Sequence, residues 1–352
     1  MRVVVIGAGV MGCATALELA SRGVRDIVVL ERAVPGAEAS SAAAGMLAAQ
    51  VESSSDEERA LYVRAREAYV GWAAELRERT GVDIGHRKTG IVELAMTDEE
   101  LAKLAPVVEA SRAAGLRAEV VNASGALEIE RELSPKIAGA AWFPDEAQVD
   151  PPQLLRALVA AIARAGVAVK SGATVSSIVK EGDRCVGVAL DGREVLRADA
   201  VILAAGSWSS LVPGVPSTVP TVRPVRGQIV MLEERPPRLS TIVFLGRGYV
   251  VPRGDGRVVC GSTMEDVGHR REVTAAGVAS ILSTATRIAP NLAAAEFSRA
   301  WCNFRPHAEG GPQVGRSPLP GLFLATGHHR NGILLAKHTA ERVAEAVLAD
   351  EP

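Results

Sequence analysis

Gly7-Ala8-Gly9-Val10-Met11-Gly12 spells G-x-G-x-x-G between an apolar run, Val3–Ile6, and a helix-patterned stretch, Met11–Arg22. Each glycine has its own duty in a turn of this kind. Gly7 permits the tight turn, Gly9 lets the backbone approach a pyrophosphate, and Gly12 lets helix and strand pack closely. The helix start at Val10 and Met11 then turns free N–H groups toward phosphate charge. A second apolar run, Ile27–Leu30, ends at Glu31 and Arg32, and a carboxylate at that point accepts hydrogen bonds from ribose hydroxyls. The glycines alone are a weak pattern. Strand, turn, helix, strand and acid in this order describe a dinucleotide site, without separating a nicotinamide from a flavin dinucleotide.

The elements that must position this turn follow from periodicity. Gly23 stops the first helix, so residues 3–30 read as one β-α-β unit of a parallel sheet. After the small-residue stretch Ser40–Leu47, Ser55 and Glu58 form a capping-box pattern. Leu61, Ala65, Tyr69, Trp72 and Leu76 then recur at helical spacing up to Gly81. Ile91–Ala95 reads as a strand, Asp98–Ala114 as a surface helix, Pro151–Ala165 as a helix and Val167–Lys170 as a strand. Short strands follow at Thr174–Lys180, Cys185–Leu190 and around Val195. Val201–Ala204 is wholly apolar and belongs to the parallel sheet. Strand-like alternation at Gln228–Leu232, Tyr249–Pro252 and Val258–Gly261 surrounds one helix, Ala275–Ile288. The tail reads as strand Leu322–Ala325, a glycine turn and helix Gly332–Leu348. The expected division is a discontinuous nucleotide domain, 1–84, 145–220 and 316–352, with a second domain made from 85–144 and 221–315.

Composition narrows the function. With 352 residues, 48% apolar and 23% charged, the chain can bury a large core and has no disordered-tail composition. A formal charge of −2 gives no basic field for nucleic acid or an anionic membrane. The excess of Arg over Lys is explained by coding bias better than by a binding surface. Cys13, Cys185, Cys260 and Cys302 are dispersed, as expected of reduced thiols rather than a disulfide framework or zinc site. No apolar run reaches the roughly 18–20 residues that span a bilayer. The glycines after Val3 also argue against a signal peptide, so a cytoplasmic protein with no transmembrane segment is expected.

Five segments, at residues 39–47, 204–208, 248–252, 301–306 and 327–335, together resemble one family, the glycine oxidases of the D-amino-acid oxidase superfamily. Ala39-Ser40-Ser41-Ala42-Ala43-Ala44-Gly45-Met46-Leu47 is similar to its flavin-facing loop. Gly327-His328-His329-Arg330-Asn331-Gly332-Ile333-Leu334-Leu335 is similar to its C-terminal motif G-H-x-R-N-G-I-L-L. Trp301-Cys302-Asn303-Phe304-Arg305-Pro306 resembles its Trp-x-x-x-Arg-Pro strand, and Gly248-Tyr249-Val250-Val251-Pro252 its tyrosine strand. Ala204-Ala205-Gly206-Ser207-Trp208 fits the A-x-G-x-W segment that closes over the cofactor. The resemblance runs in order from residue 1 to about 348. It implies an α/β fold: a Rossmann-like FAD domain of the glutathione-reductase type joined to a mostly antiparallel α+β substrate domain, with the flavin between them.

The resemblance also implies roles. Ser40, Ser41 and the small residues to Met46 would lie beside the ring system, and the Val175 backbone would meet the adenine, although its side chain reads as an ordinary core valine. Gly332 would open a helix whose amides stabilise charge on the reduced flavin. For the substrate, the family points to Arg305, Tyr249 and Arg330, with Met264 lining the cavity. Arg305 suits a planar fork on an amino-acid carboxylate, Tyr249 adds a hydroxyl donor, and Arg330 contributes through its carbonyl or guanidinium. Read without the family, Arg305 before Pro306 is more often a surface or structural ion-pair residue. His328-His329 is not expected to be a metal pair, because adjacent residues on an extended chain point to opposite faces. His329 stands where the family often has Phe, and Arg247 where relatives can have His. Cys302 lies one residue out of register with the flavin attachment of sarcosine oxidases, so noncovalent FAD is expected.

The implied activity is oxidation of glycine, sarcosine or a small D-amino acid to an imino acid, with dioxygen reduced to hydrogen peroxide. By analogy with the family, it would have a role in thiamine thiazole synthesis. The rivals are a dehydrogenase with another electron acceptor and a non-catalytic nucleotide-binding protein. Homo-oligomerisation is left open.

Overall fold

The computed structural model describes residues 1–191 and 194–350. Its centre is a six-stranded sheet in the order Gln313–Arg316, Leu322–Thr326, Ala200–Leu203, Arg2–Ile6, Asp26–Glu31, Ala168–Ser171. Neighbouring strands are parallel except for the first pair. Buried parallel strands need apolar residues on both faces, which explains the unbroken runs. Val3, Val5, Ile27 and Val29 face one core with helices Val10–Ser21, Pro151–Arg164 and Ala336–Leu348. Val4, Ile6, Val28 and Leu30 face a second core, closed by Ile178, Val188 and Leu196 of a three-stranded antiparallel sheet.

The long helix Asp56–Thr80 begins where its signals lie. The Ser55 hydroxyl accepts the Glu58 N–H at 3.1 Å, and Gly81, at φ +76°, ends it. Tyr69, Trp72 and Leu76 bury its inner stripe in the first core.

An eight-stranded mixed sheet runs in the order Glu296–Ala308, Val222–Glu233, Arg257–Gly261, Gly248–Pro252, Ile242–Leu245, Ile91–Ala95, Gly139–Phe143, Glu119–Asn122. Only Ile242–Leu245 and Ile91–Ala95 pair in parallel. One face is covered by Ile281, Ala285 and Ile288 of helix Ala275–Ile288. The other carries Ile91, Ile229, Phe244 and Tyr249, packed against Ala44 and Ala48 from the loop ahead of the long helix. That second face forms one side of the site.

Two of the expected elements differ in extent from the sequence expectation. Val222–Glu233 is longer than Gln228–Leu232, because Glu296–Ala308 pairs along it from Val222 opposite Ala308 to Glu233 opposite Glu296. Pro224, which lacks an N–H, sits where Arg257–Gly261 no longer pairs on the other side. The last helix begins at Ala336, not Gly332. Residues 332–335 are turns: the Leu335 N–H reaches Asn331 O at 2.9 Å, but the Ala336 N–H shortens its reach to Ile333 O. Among the described residues, no helix is long and apolar enough to cross a membrane.

Candidate active site

The glycine turn is built by close approach. Gly7 adopts φ +103°, and a Cβ there would lie 2.5 Å from Ala204 O on the neighbouring strand segment. A Cβ on Gly12 would overlap Gly7 O, so Gly12 serves the packing of helix on turn from behind. Gly9 is different: its missing Cβ would meet only the Ser40 hydroxyl, at 3.2 Å. That hydroxyl accepts the Val10 N–H at 3.0 Å, because the N-cap residue, Gly9, has no side chain to cap the helix itself. The Glu31 carboxylate accepts the Ala8 N–H at 3.0 Å and the Ala33 N–H at 2.9 Å, which ties the second strand to the turn.

One cavity with about 1980 Å³ of atom-free space, partly open to solvent, gathers most of the expected residues. Gly7, Gly9, Val10, Met11, Glu31 and Arg32 come from the β-α-β unit, and Ala39, Ser40, Ala44, Gly45 and Met46 from the small-residue loop. Val175, Ala205, Gly206 and Trp208 line it, as do Tyr249 and Arg305 from the large sheet. His328, His329, Arg330, Asn331, Gly332 and Ile333 complete the wall.

Four expected residues stand outside it. Gly12 is behind the turn. Ser41 gives its hydroxyl to Gly36 O at 2.6 Å, and Leu334 is buried in the first core. Met264 is 42% exposed. Its neighbour Glu265 is fastened to Arg226 by two backbone hydrogen bonds and an ion pair, which carries the chain outward at this point. The same segment contributes Ser262 to the wall instead.

At the end formed by the large sheet, Arg305 donates to Ser262 Oγ at 2.7 Å and to Thr263 O at 3.2 Å. Both acceptors are neutral, and among the described residues the guanidinium has no ion-pair partner. Burial holds its pKa below the usual arginine range, with the Tyr249 hydroxyl acting in the opposite sense. Two neutral protein groups therefore orient the guanidinium. A cation so placed favours an incoming anion. Two glycines clear space for this pair. A Cβ at Gly227 would overlap the Arg305 guanidinium, and one at Gly261 would overlap the Tyr249 ring and hydroxyl.

Arg330 forms an ion pair with Glu52, another wall residue, which sequence reasoning did not single out. Burial raises the Glu52 pKa, and Arg330 and Arg305 oppose the rise. His329, at φ +47°, gives its backbone N–H to Pro306 O at 2.7 Å, and its ring meets His307 edge-on at 4.9 Å. Burial, then the charges of Arg305, His307, Arg330 and Arg223, push its pKa down to about 4, so the imidazole is neutral near pH 7. His328 is turned away to Thr339 Oγ1, 2.8 Å from its Nε2. Tyr62 and Tyr69 of the long helix hold the same segment, through Asn331 Nδ2 at 3.1 Å and through Ile333 O.

The other end carries a stack. The Arg32 guanidinium lies 3.9 Å from the Trp208 ring centroid, and His269 stacks on Trp208 at 3.8 Å. Trp208 Nε1 and His328 Nδ1 are buried without partners among the described residues. Bare backbone at Gly9 ahead of a helix N-terminus and orphaned polar atoms on two wall residues are the features of a wall that fits FAD.

Comparison with known proteins agrees with this geometry. Residues 2–346 match the family described as FAD dependent oxidoreductase. The chain is 37% identical over 350 residues to a glycine oxidase of Geobacillus kaustophilus, covering 98% of this chain and 92% of that protein. It is 35% identical to a bifunctional protein ThiO/ThiG of Trichormus variabilis, of which it spans 52%. The crystal structure of the Geobacillus kaustophilus glycine oxidase superimposes with a TM-score of 0.92, covering 100% of this chain and 95% of that one. The chain therefore belongs to the glycine oxidase family of FAD-dependent oxidoreductases.

Proposed function

We propose that the protein oxidises glycine or a related small amino acid, sarcosine or a small D-amino acid included, to the imino acid, with dioxygen as electron acceptor. Water then releases the oxoacid and ammonia, or methylamine where sarcosine is the substrate, and the reduced oxygen leaves as hydrogen peroxide. The observation that carries this reading is Arg305: a largely buried guanidinium, oriented by Ser262 and Thr263, without a carboxylate partner among the described residues, and beside Tyr249. A small carboxylate completes that arrangement with two charge-assisted hydrogen bonds.

FAD, when bound, supplies the two-electron chemistry and delivers the electrons to dioxygen. The chain's contribution is orientation and charge. Gly7, Gly9 and the helix N-terminus they lead into would hold the pyrophosphate, and the Val175 backbone would meet the adenine. Arg305 and Tyr249 would fix the carboxylate so that the α-carbon faces the ring system. The bond to FAD is noncovalent in this reading. Cys302 is buried and does not line the cavity, whereas Asn303, Phe304, Arg305 and Pro306 of the same strand do. The bifunctional ThiO/ThiG relative supports a role in thiamine thiazole synthesis.

The test is anaerobic addition of glycine, sarcosine and small D-amino acids to the yellow holoprotein, followed by air. Flavin bleaching and then peroxide in equal amount are expected. Bleaching with reoxidation only by an artificial dye would mark a dehydrogenase. No bleaching by any small amine would overturn the reading.

A further inference from the structure

We propose that Glu52 recognises the substrate's amino group, so that Arg305 and Glu52 form the two poles of a zwitterion site, and that Glu52 also excludes substrates with a second carboxylate. The inference rests on the reading above for the carboxylate pole.

Glu52 lines the same cavity as Arg305, Tyr249, Arg330 and His329. Its side chain is 14% exposed, and only Oε1 is engaged, by Arg330. Oε2 has no hydrogen bond among the described residues. A largely buried carboxylate with one free oxygen, in a cavity that takes a small amine, is an acceptor for that amine.

The segment carrying Glu52 is held in place from behind. The Ala49 and Gln50 N–H groups both donate to the fully buried Glu146 carboxylate at 2.7 Å, and Arg66 stands 3.4 Å from it. The Glu52 N–H returns to Ala48 O at 3.3 Å. On the other side, the Pro306 and Tyr62 contacts of His329 and Asn331 fix the backbone around Arg330. Glu52 and Arg330 therefore meet from two anchored segments.

Charge then decides the ligand class. Arg305 and Arg330 bring guanidinium groups, Glu52 is ion-paired with Arg330, and His329 is neutral near pH 7. The remaining cavity-wall charges pair elsewhere: Arg32 with Glu38, and Glu31 with backbone amides. One net positive charge matches one carboxylate. A second carboxylate would find Arg330 already neutralised and Glu52 repelling it.

The experiment compares wild type and Glu52→Gln holoproteins with three probes: acetate, glycine and malonate. Acetate and malonate are titrated by flavin absorbance, and glycine by its saturation of anaerobic flavin reduction. For Glu52→Gln, glycine should weaken by about tenfold or more, acetate should stay within about twofold, and malonate should tighten by about tenfold as Arg330 is freed. Glu52→Asp, which keeps the charge, should keep the discrimination against malonate and serves if Glu52→Gln loses FAD or stability. Equal weakening of acetate and glycine, or unchanged glycine and malonate, would overturn the assignment. Arg305→Met separates the two readings. If it leaves acetate binding intact, the carboxylate pole is wrong; if it abolishes acetate binding while Glu52→Gln changes nothing, the amino pole alone fails.

Discussion

Gly227 lies under the guanidinium of Arg305, and the side chain occupies the space that any Cβ at residue 227 would need. The two sit on adjacent strands, Gly227 opposite Asn303 and Arg305 opposite Val225, so the register of one pair of strands sets where the cation points. Gly261 stands in the same relation to Tyr249, directly opposite it in the ladder.

Gly227→Ala should therefore act like a lesion of Arg305 while leaving the FAD end untouched. Overpacking of this kind costs about 1–3 kcal/mol, and the displaced fork should weaken acetate by about tenfold or more. Flavin absorbance titration with acetate, beside the FAD content of the purified variant, checks this.

Gly9→Val should have the opposite profile. The branched side chain would press on the Ser40 hydroxyl that holds the Val10 N–H and would intrude where the pyrophosphate approaches. FAD affinity should fall by about a hundredfold, and the melting temperature should lose the part that FAD linkage contributes. Isothermal titration of the apoprotein with FAD measures it. Full retention of FAD would mean the turn does not hold phosphate.

Cys302→Ser should leave FAD content unchanged, and acid precipitation of the wild type should leave all the yellow colour in the supernatant. Flavin that stays with the precipitate would contradict the noncovalent assignment.

Much of this site is local in sequence. The glycine turn, the Glu31 strand end, the small-residue loop and the run from His328 to Ile333 are contiguous segments whose residue types announce their work, and they account for most of the cavity wall. Glu52, Ser262, Gly227 and Gly261 are not legible in that way. Their roles arise from pairing between strands distant in the chain, or from an ion pair between residue 52 and residue 330. Met264 fails for a similar reason, since the Arg226–Glu265 clamp decides where that segment runs. The late start of the last helix is a backbone effect: with no side-chain cap, Gly332–Leu335 closes separate turns while its apolar residues are buried.

Stability should depend on pH through Glu93. It sits one residue pair from Ile91 on the sheet face toward the cavity, and burial, then the charge of Glu52, raises its pKa to about 7. A carboxyl with a raised folded pKa stabilises the fold fully below its unfolded value of 4.5 and loses that contribution as pH rises to about 7. The loss is on the order of 3 kcal/mol. Urea unfolding of the holoprotein between pH 4.5 and 8 should show the decline, and Glu93→Gln should make it shallower, leaving the part due to Glu146, whose carboxyl burial likewise raises to about 7.

The central claim is that Arg305 receives the substrate carboxylate, and the acetate dissociation constant of the Arg305→Met holoprotein tests it most directly. Because the guanidinium's present partners are the neutral Ser262 and Thr263, its removal leaves no buried charge unpaired. FAD content should hold, and acetate should weaken by about a hundredfold or more, the loss typical of a buried charge partner of about 2–5 kcal/mol. Arg305→Lys should recover only part of the affinity. Acetate affinity equal to that of wild type, in a variant that still carries its FAD, would contradict the account.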